Sequence, residues 1–218
     1  MALLNPFAGK RASAAGLPDP VVDLAADKNA KPGEFHTAVV GGGCFWCIDG
    51  VFRQMKGVTE VVSGYAGGSK ETADYETVCT GTTGHAESVK ITYDPTKITY
   101  GQLLRILFTV IDPTTKDRQG PDAGTQYRSA IFYENDDQKN VAKAYIAQLD
   151  AAKIFPYPIV TTLEPLKPAA FYPAEAYPQN YVACHLNNPY VQYESLPKIA
   201  KAREAFPNQV QSTTAPVK

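Results

Sequence analysis

The sequence has no excess of either charge: 21 Lys and Arg stand against 22 Asp and Glu, a formal net charge of -1. Nothing in that balance calls for nucleic acid or an anionic membrane as partner. No apolar run approaches the length of a membrane-spanning helix. The opening residues are apolar only briefly and are interrupted by Asn5 and Pro6, so a secretory signal is not expected either. A cytoplasmic protein is the resulting expectation, and one acting as a monomer. Cysteine is scarce, with four residues, Cys44, Cys47, Cys79 and Cys184. In a reducing compartment these read as thiols or a redox set rather than structural staples. Only one Cys-x-x-Cys pair occurs, without a second pair at suitable spacing, and the glycines beside it offer no ligands, so a zinc module is a weak reading. There is no internal repeat. His36 and His185 carry no signal.

What is present is an ordinary globular composition, 44% hydrophobic and 20% charged over 218 residues, enough for one domain with a sizeable core. Thirteen tyrosines and seventeen prolines are many, and those after Ile154 suggest a loop-rich C-terminal part. Residues 1–33 lack a periodic apolar pattern and read as an extension lying on or beside the domain. Residues 34–196 read as the main domain, the one that would carry any activity, and 197–218 as a tail expected to be mobile.

Within the domain the pattern predicts a strand ending near Val40, a helix over 44–56 stopped by Gly57, and a strand over 58–65. A third strand over 86–93 alternates with period two and is closed by Asp94-Pro95. Thr99-Tyr100-Gly101-Gln102 is a capping-box start for a second helix. A fourth strand over 127–133, a helix over 136–153 and a strand near 159–163 follow. The order strand, helix, strand, strand, helix, strand is that of a split βαβ unit. The expected class is α+β, a two-layer ferredoxin-like sheet with helices on one face.

The chain is organised around Gly41-Gly42-Gly43-Cys44-Phe45-Trp46-Cys47. Cys44 sits where a strand passes through a glycine turn into a helix. Free N–H groups and the positive end of the helix dipole there favour an anion, which predicts a lowered thiol pKa. Cys47, one turn further on, is within reach of a disulfide with Cys44. Two buried core cysteines are the plainer alternative, but the glycine run is hard to account for by packing. Alternation puts Glu87 on one face of its strand with Val89, Ile91 and Tyr93. A carboxyl so placed is expected to be desolvated and raised in pKa, a candidate acid near neutral pH, against the alternative of an exposed edge carboxylate. Asp122 and Tyr127 at the start of the fourth strand, and Tyr75 on the long loop 66–84, offer further polar groups.

These segments, together with Gly64-Tyr65-Ala66-Gly67-Gly68, Tyr75 to Cys79, Gly84-His85-Ala86-Glu87, Tyr93-Asp94-Pro95 and Asp122 to Ser129, resemble the A-type peptide methionine sulfoxide reductases. The motifs appear in that family's order and span about residues 35 to 195. The resemblance implies that Cys44 is the nucleophile attacking the sulfoxide sulfur. Phe45 and Trp46 would receive the substrate methyl, and Glu87 would protonate the oxygen with Tyr75 and Tyr127 as further donors. Asp122 would support this cluster. It further implies the S epimer as substrate, a sulfenic acid on Cys44, a second thiol that condenses with it, thioredoxin or another dithiol as external reductant, and no metal or organic cofactor.

Many family members have glycine where this chain has Cys47, which makes Cys47 the first choice for the resolving thiol and Cys184 the alternative. Cys79 reads as structural. The chain has Ala176-Tyr177-Pro178-Gln179 where the family usually has Asp-Tyr-His-Gln, so Glu175, Tyr177 and Gln179 receive no chemical role. His85 precedes Glu87 and reads as a structural residue. A general thiol–disulfide oxidoreductase acting on protein disulfides is the competing function, since Cys-x-x-Cys at a helix start suits that chemistry as well.

Overall fold

The computed structural model describes residues 16–24, 33–167 and 170–211. The elements in order are β1 (His36–Gly42), α1 (Phe45–Phe52), β2 (Val58–Ala66), α2 (Tyr75–Cys79), β3 (Ala86–Tyr93) and α3 (Tyr100–Val110). There follow β4 (Arg118–Gln119), β5 (Asp122–Ala123), β6 (Ser129–Tyr133), α4 (Asp136–Ala151), β7 (Thr162–Pro165), β8 (Phe171–Pro173), α5 (Tyr181–Cys184) and α6 (Leu196–Ala205). Six strands form a mixed sheet in the order β7-β6-β1-β3-β2-β8. β1 lies between antiparallel β3 and β6, β2 pairs antiparallel with β3 and β8, and β7 alone runs parallel to its neighbour.

Alternation decides which strand residues meet the helices. Val40, Val89, Ile91 and Tyr93 join Phe45, Ile48, Val51, Phe52, Leu103, Leu107 and Tyr145 in one large core. Val39, Ala66, Ala86, Ala130 and Phe132 face the other way into a smaller cluster covered by Leu166 and Phe171. The capping box at α3 is present in both directions, Thr99 accepting from Gln102 N and Gln102 from Thr99 N. Asp23 strengthens that helix start: its carboxylate accepts from Gly101 N at 2.7 Å and from the Thr99 hydroxyl. The described part of the N-terminal extension thus lies on the domain. Leu17 is buried, Pro18 O accepts from Tyr145 at 2.8 Å, and Asp19 pairs with Arg105 at 2.6 Å. Residues 1–15 and 25–32 of the extension lie outside the described residues.

Two expectations give way. The helix after Cys44 ends at Phe52 rather than near Lys56, because Gln54 N and Met55 N bond three residues back, to Val51 O and Phe52 O, in tighter turns. The stretch read as the start of a tail forms α6: Ile199, Ala202 and Phe206 are buried, and Val210 bridges to Met55. Residues 212–218 lie outside the described residues.

Candidate active site

The glycine run is needed for close packing. A Cβ on Gly42 would lie 2.9 Å from Ile111 Cγ2, and one on Gly43, whose φ is +87°, would lie 2.6 Å from Gln119 Cβ. The chain therefore turns sharply and delivers Cys44 as the N-cap of α1. Register then sets the carboxyl opposite it. Gly41 pairs with Ser88 across β1 and β3, so Glu87 emerges beside the turn. Its Oε2 accepts from Phe45 N at 3.0 Å.

Glu87 is buried, and burial, reinforced by the nearby Asp122 and Cys47 charges, pushes its pKa from 4.5 up to about 8; the Phe45 N–H opposes this. Cys44 behaves contrary to the sequence expectation. Its pKa is raised, first by burial, then by its hydrogen bond with Cys47 and by the Glu87 charge. The main physical reason is that burial, and the first N–H of α1 is bonded to Glu87. Cys47 moves the other way, down to about 7, through its bond with Cys44 against the effect of burial, helped by Lys198, Ser195 and Tyr190. The two thiols form one coupled pair in which Cys47 holds the negative charge more readily. All four cysteines are free; Cys44 and Cys47 are buried and Cys184 is exposed.

The long loop after β2 folds back through α2, capped by Asp74, whose side chain accepts from Thr77 N. This places Tyr75 parallel to Phe45 and Trp46, with ring centroids 6.4 Å from each. Burial raises the Tyr75 phenol, with Cys79 and Glu87 adding to it; burial and then Glu87 raise Tyr127. Both phenols therefore stay protonated as donors. Arg128 fixes the Tyr127 turn, gripping Glu164 at 3.0 and 3.2 Å and donating to Thr125 O and Gly84 O. Asp122 accepts from Tyr190 at 2.5 Å. Trp46 is enclosed by tyrosines: Tyr181 stacks on it at 3.7 Å, and Tyr190 and Tyr177 meet it edge-on.

His85 is buried and structural, as expected, bonding Gly68 N and Ser69 O. Glu175 and Gln179 turn out to be scaffolding. Glu175 accepts from the Tyr65 hydroxyl and Tyr75 N, each at 2.9 Å. Gln179 bonds Ser63 N, Ser63 O and Ala174 O. Sequence reasoning missed Tyr190, Ser195 and Lys198. Ser195-Leu196-Pro197, with Pro in the first turn of α6, was a helix-start signal that could have found the last two. Among the described residues no group of three or more His, Cys, Asp and Glu is placed to hold a metal ion. A cleft of about 340 Å³ lined by His36, Tyr93 and Glu134 lies at the opposite end of β1 and β3 and belongs to none of this chemistry.

The family model described as peptide methionine sulfoxide reductase matches residues 36–210. Peptide methionine sulfoxide reductase MsrA 2 of Mesorhizobium japonicum is 57% identical over 182 residues, covering 83% of this chain and 92% of that protein. Among solved structures, Mxr1 from Saccharomyces cerevisiae in reduced form aligns with a TM-score of 0.65 at 33% identity, over 72% of this chain and 90% of the other. Methionine sulfoxide reductase A of Corynebacterium diphtheriae aligns with a TM-score of 0.62 at 33% identity, over 79% and 88%.

Proposed function

The chain belongs to the peptide methionine sulfoxide reductase family and reduces methionine sulfoxide to methionine; from that premise we propose how its own residues divide the work. Cys44 Sγ attacks the sulfoxide sulfur while Glu87 delivers its proton to the sulfoxide oxygen, with Tyr75 and Tyr127 donating to the same oxygen. The oxygen ends on Cys44 as a sulfenic acid, and methionine leaves. Phe45 and Trp46 hold the substrate methyl, and Asp122 supports the polar side through Tyr190. The observation that carries this reading is the neutral carboxyl beside the thiol, Glu87 at about 8 and bonded to Phe45 N. A protonated Glu87 both supplies the proton and removes a negative charge that opposes ionisation of Cys44.

Cys47 then condenses with the sulfenic acid, expelling water and forming the Cys44–Cys47 disulfide. Its support is position, one turn along α1 and hydrogen-bonded with Cys44. Cys184, exposed on α5, is the other candidate. Thioredoxin or another dithiol reopens the disulfide. Sulfur carries all the redox change, so the scheme calls for no metal or organic cofactor, and we place a monomer acting in the cytoplasm, without nucleic acid or membrane. No helix among the described residues is long and apolar enough to cross a membrane. The central strands β6-β1-β3-β2, with antiparallel neighbours, support reading the core of residues 34–196 as a split βαβ unit with β7 and β8 added outside.

The test is consumption of racemic N-acetyl-methionine sulfoxide with the epimers resolved. Loss of the S epimer alone, abolished by Cys44→Ser, is expected. Insulin disulfide reduction with neither epimer consumed would instead favour a general thiol–disulfide oxidoreductase. For recycling, Cys47→Ser is expected to stop after one methionine per protein; full turnover in that variant would move the resolving role to Cys184.

A further inference from the structure

Cys47 is fully buried, and groups from the far end of the chain close around its sulfur. Ser195 Oγ lies 3.2 Å from Cys47 Sγ, and Tyr190 Oη lies 3.9 Å from it. Tyr190 accepts from the Cys47 thiol and gives its own hydrogen to Asp122. Ser195 is therefore free to donate when Cys47 is ionised. Lys198 Nζ is buried with no hydrogen-bond partner, and its charge favours the ionised Cys47. A lysine amine is seldom buried unless a charge faces it.

The local backbone explains how these groups share one sulfur. Val191–Ser195 is a π-helical turn running directly into α6. In an α-helix, positions five apart point in well-separated directions. The wider π turn brings Tyr190 and Ser195 onto one face, and Lys198 follows three residues after Ser195, on that face of α6. The other titratable groups acting here are Cys44 and Glu87, and neither supplies a positive charge.

Exposure makes the two sulfurs unequal. As residues, Cys44 is 7% exposed and Cys47 0% exposed, and Ser195 and Tyr190 close over Cys47 Sγ, so a reductant approaching the disulfide meets Cys44. We propose that Ser195 and Lys198 form a leaving-group site that receives the electron pair on Cys47 when the reductant opens the disulfide. The inference rests on the Cys44–Cys47 reading above. A reductant thiolate bonds to Cys44 Sγ, the Cys44–Cys47 bond breaks, and its pair passes to Cys47 Sγ. The reductant's second thiolate then displaces Cys44 from the mixed disulfide. The dithiol leaves oxidised and both protein thiols are regenerated. Ser195 donates to the departing sulfur, and Lys198 acts on it through its field.

The experiment oxidises the full chain with one equivalent of methionine sulfoxide and maps the disulfide by mass spectrometry. Reduction by dithiothreitol is then followed in wild type, Ser195→Ala, Lys198→Met and Lys198→Arg. Loss of either group is expected to weaken Cys47 ionisation about tenfold. Reduction then slows about threefold, since poorer leaving groups depart more slowly, and at pH 9 the equilibrium shifts about tenfold toward the disulfide, about 30 mV in potential. Lys198→Arg is expected to restore most of the wild-type rate and potential. An unchanged rate and potential in both Ser195→Ala and Lys198→Met overturns the proposal. Mapping that joins Cys44 to Cys184 instead overturns the underlying pairing, a separate and recognisable failure.

Discussion

Replacing Glu87 by glutamine removes one proton and almost no volume. The amide oxygen can still accept from Phe45 N, the 3.0 Å bond that holds the wild-type carboxyl, so the variant separates proton donation from packing. Burial lifts this carboxyl from 4.5 to about 8. At pH 7 about nine-tenths of it is protonated, and at pH 9 about one-tenth. Loss of a general acid typically lowers the chemical step by about 10²- to 10⁴-fold. Single-turnover methionine formation, measured in rapid quench without external reductant, is expected to fall by that amount at pH 7. Stability moves in the opposite sense. The folded state holds this proton more tightly than the unfolded chain, so the contribution is fully present below about pH 4.5 and is lost as pH rises through 8. Wild type is therefore expected to lose on the order of 3 kcal/mol relative to Glu87→Gln between pH 5 and pH 8. Urea titrations at both pH values measure the difference. Equal single-turnover rates in the two proteins, or parallel stability profiles, would refute the reasoning.

Gly43→Ala meets both a positive φ and a Cβ contact of 2.6 Å with Gln119, which is itself bonded to Asp112 N. A loss of about 2 kcal/mol or more in denaturant titrations is expected, and an unchanged midpoint would remove the steric account of the turn. Gln179→Ala breaks two bonds that fasten the 174–179 segment to Ser63 of β2, and a third, to Ala174 O, that closes the segment on itself. It is expected to lower stability by about 1–3 kcal/mol and, by loosening Glu175 and with it Tyr75, to raise KM for the sulfoxide. Steady-state kinetics with an unaltered KM would show that the segment does not position the aromatic wall.

Strand β3 was legible because its outer half alternates with period two, whereas β1 and β6 are buried on both faces and were read from short β-rich runs. The pattern of Glu87, Val89, Ile91 and Tyr93 gave the length of β3 and put Glu87 on the core-facing side, but left open an exposed edge carboxylate; the fold buries it. The start of α3 was legible because a capping box is a local signature. What escaped was set by distant partners. The direction of the Cys44 shift depends on burial by the whole fold and on the Cys47 thiol and the Glu87 charge beside it, the latter brought from a strand position 42 residues beyond Phe45. Tyr190, Ser195 and Lys198 lie in a segment whose π turn has no familiar sequence period, and the buried stripe of α6 rests on Ile199 and the small Ala202.

The protein contains a single tryptophan, and it sits between the two cysteines of the proposed disulfide pair. Trp46 is stacked on Tyr181 at 3.7 Å, and its indole nitrogen is buried without a hydrogen-bond partner. Its ultraviolet emission is therefore a signal from one place in the molecule, with no second indole to subtract. Disulfides quench nearby excited indoles efficiently, so each change of sulfur oxidation state beside Trp46 should register as light gained or lost. The unlabelled protein thus carries its own optical gauge, able to time every half-reaction in a stopped-flow cell.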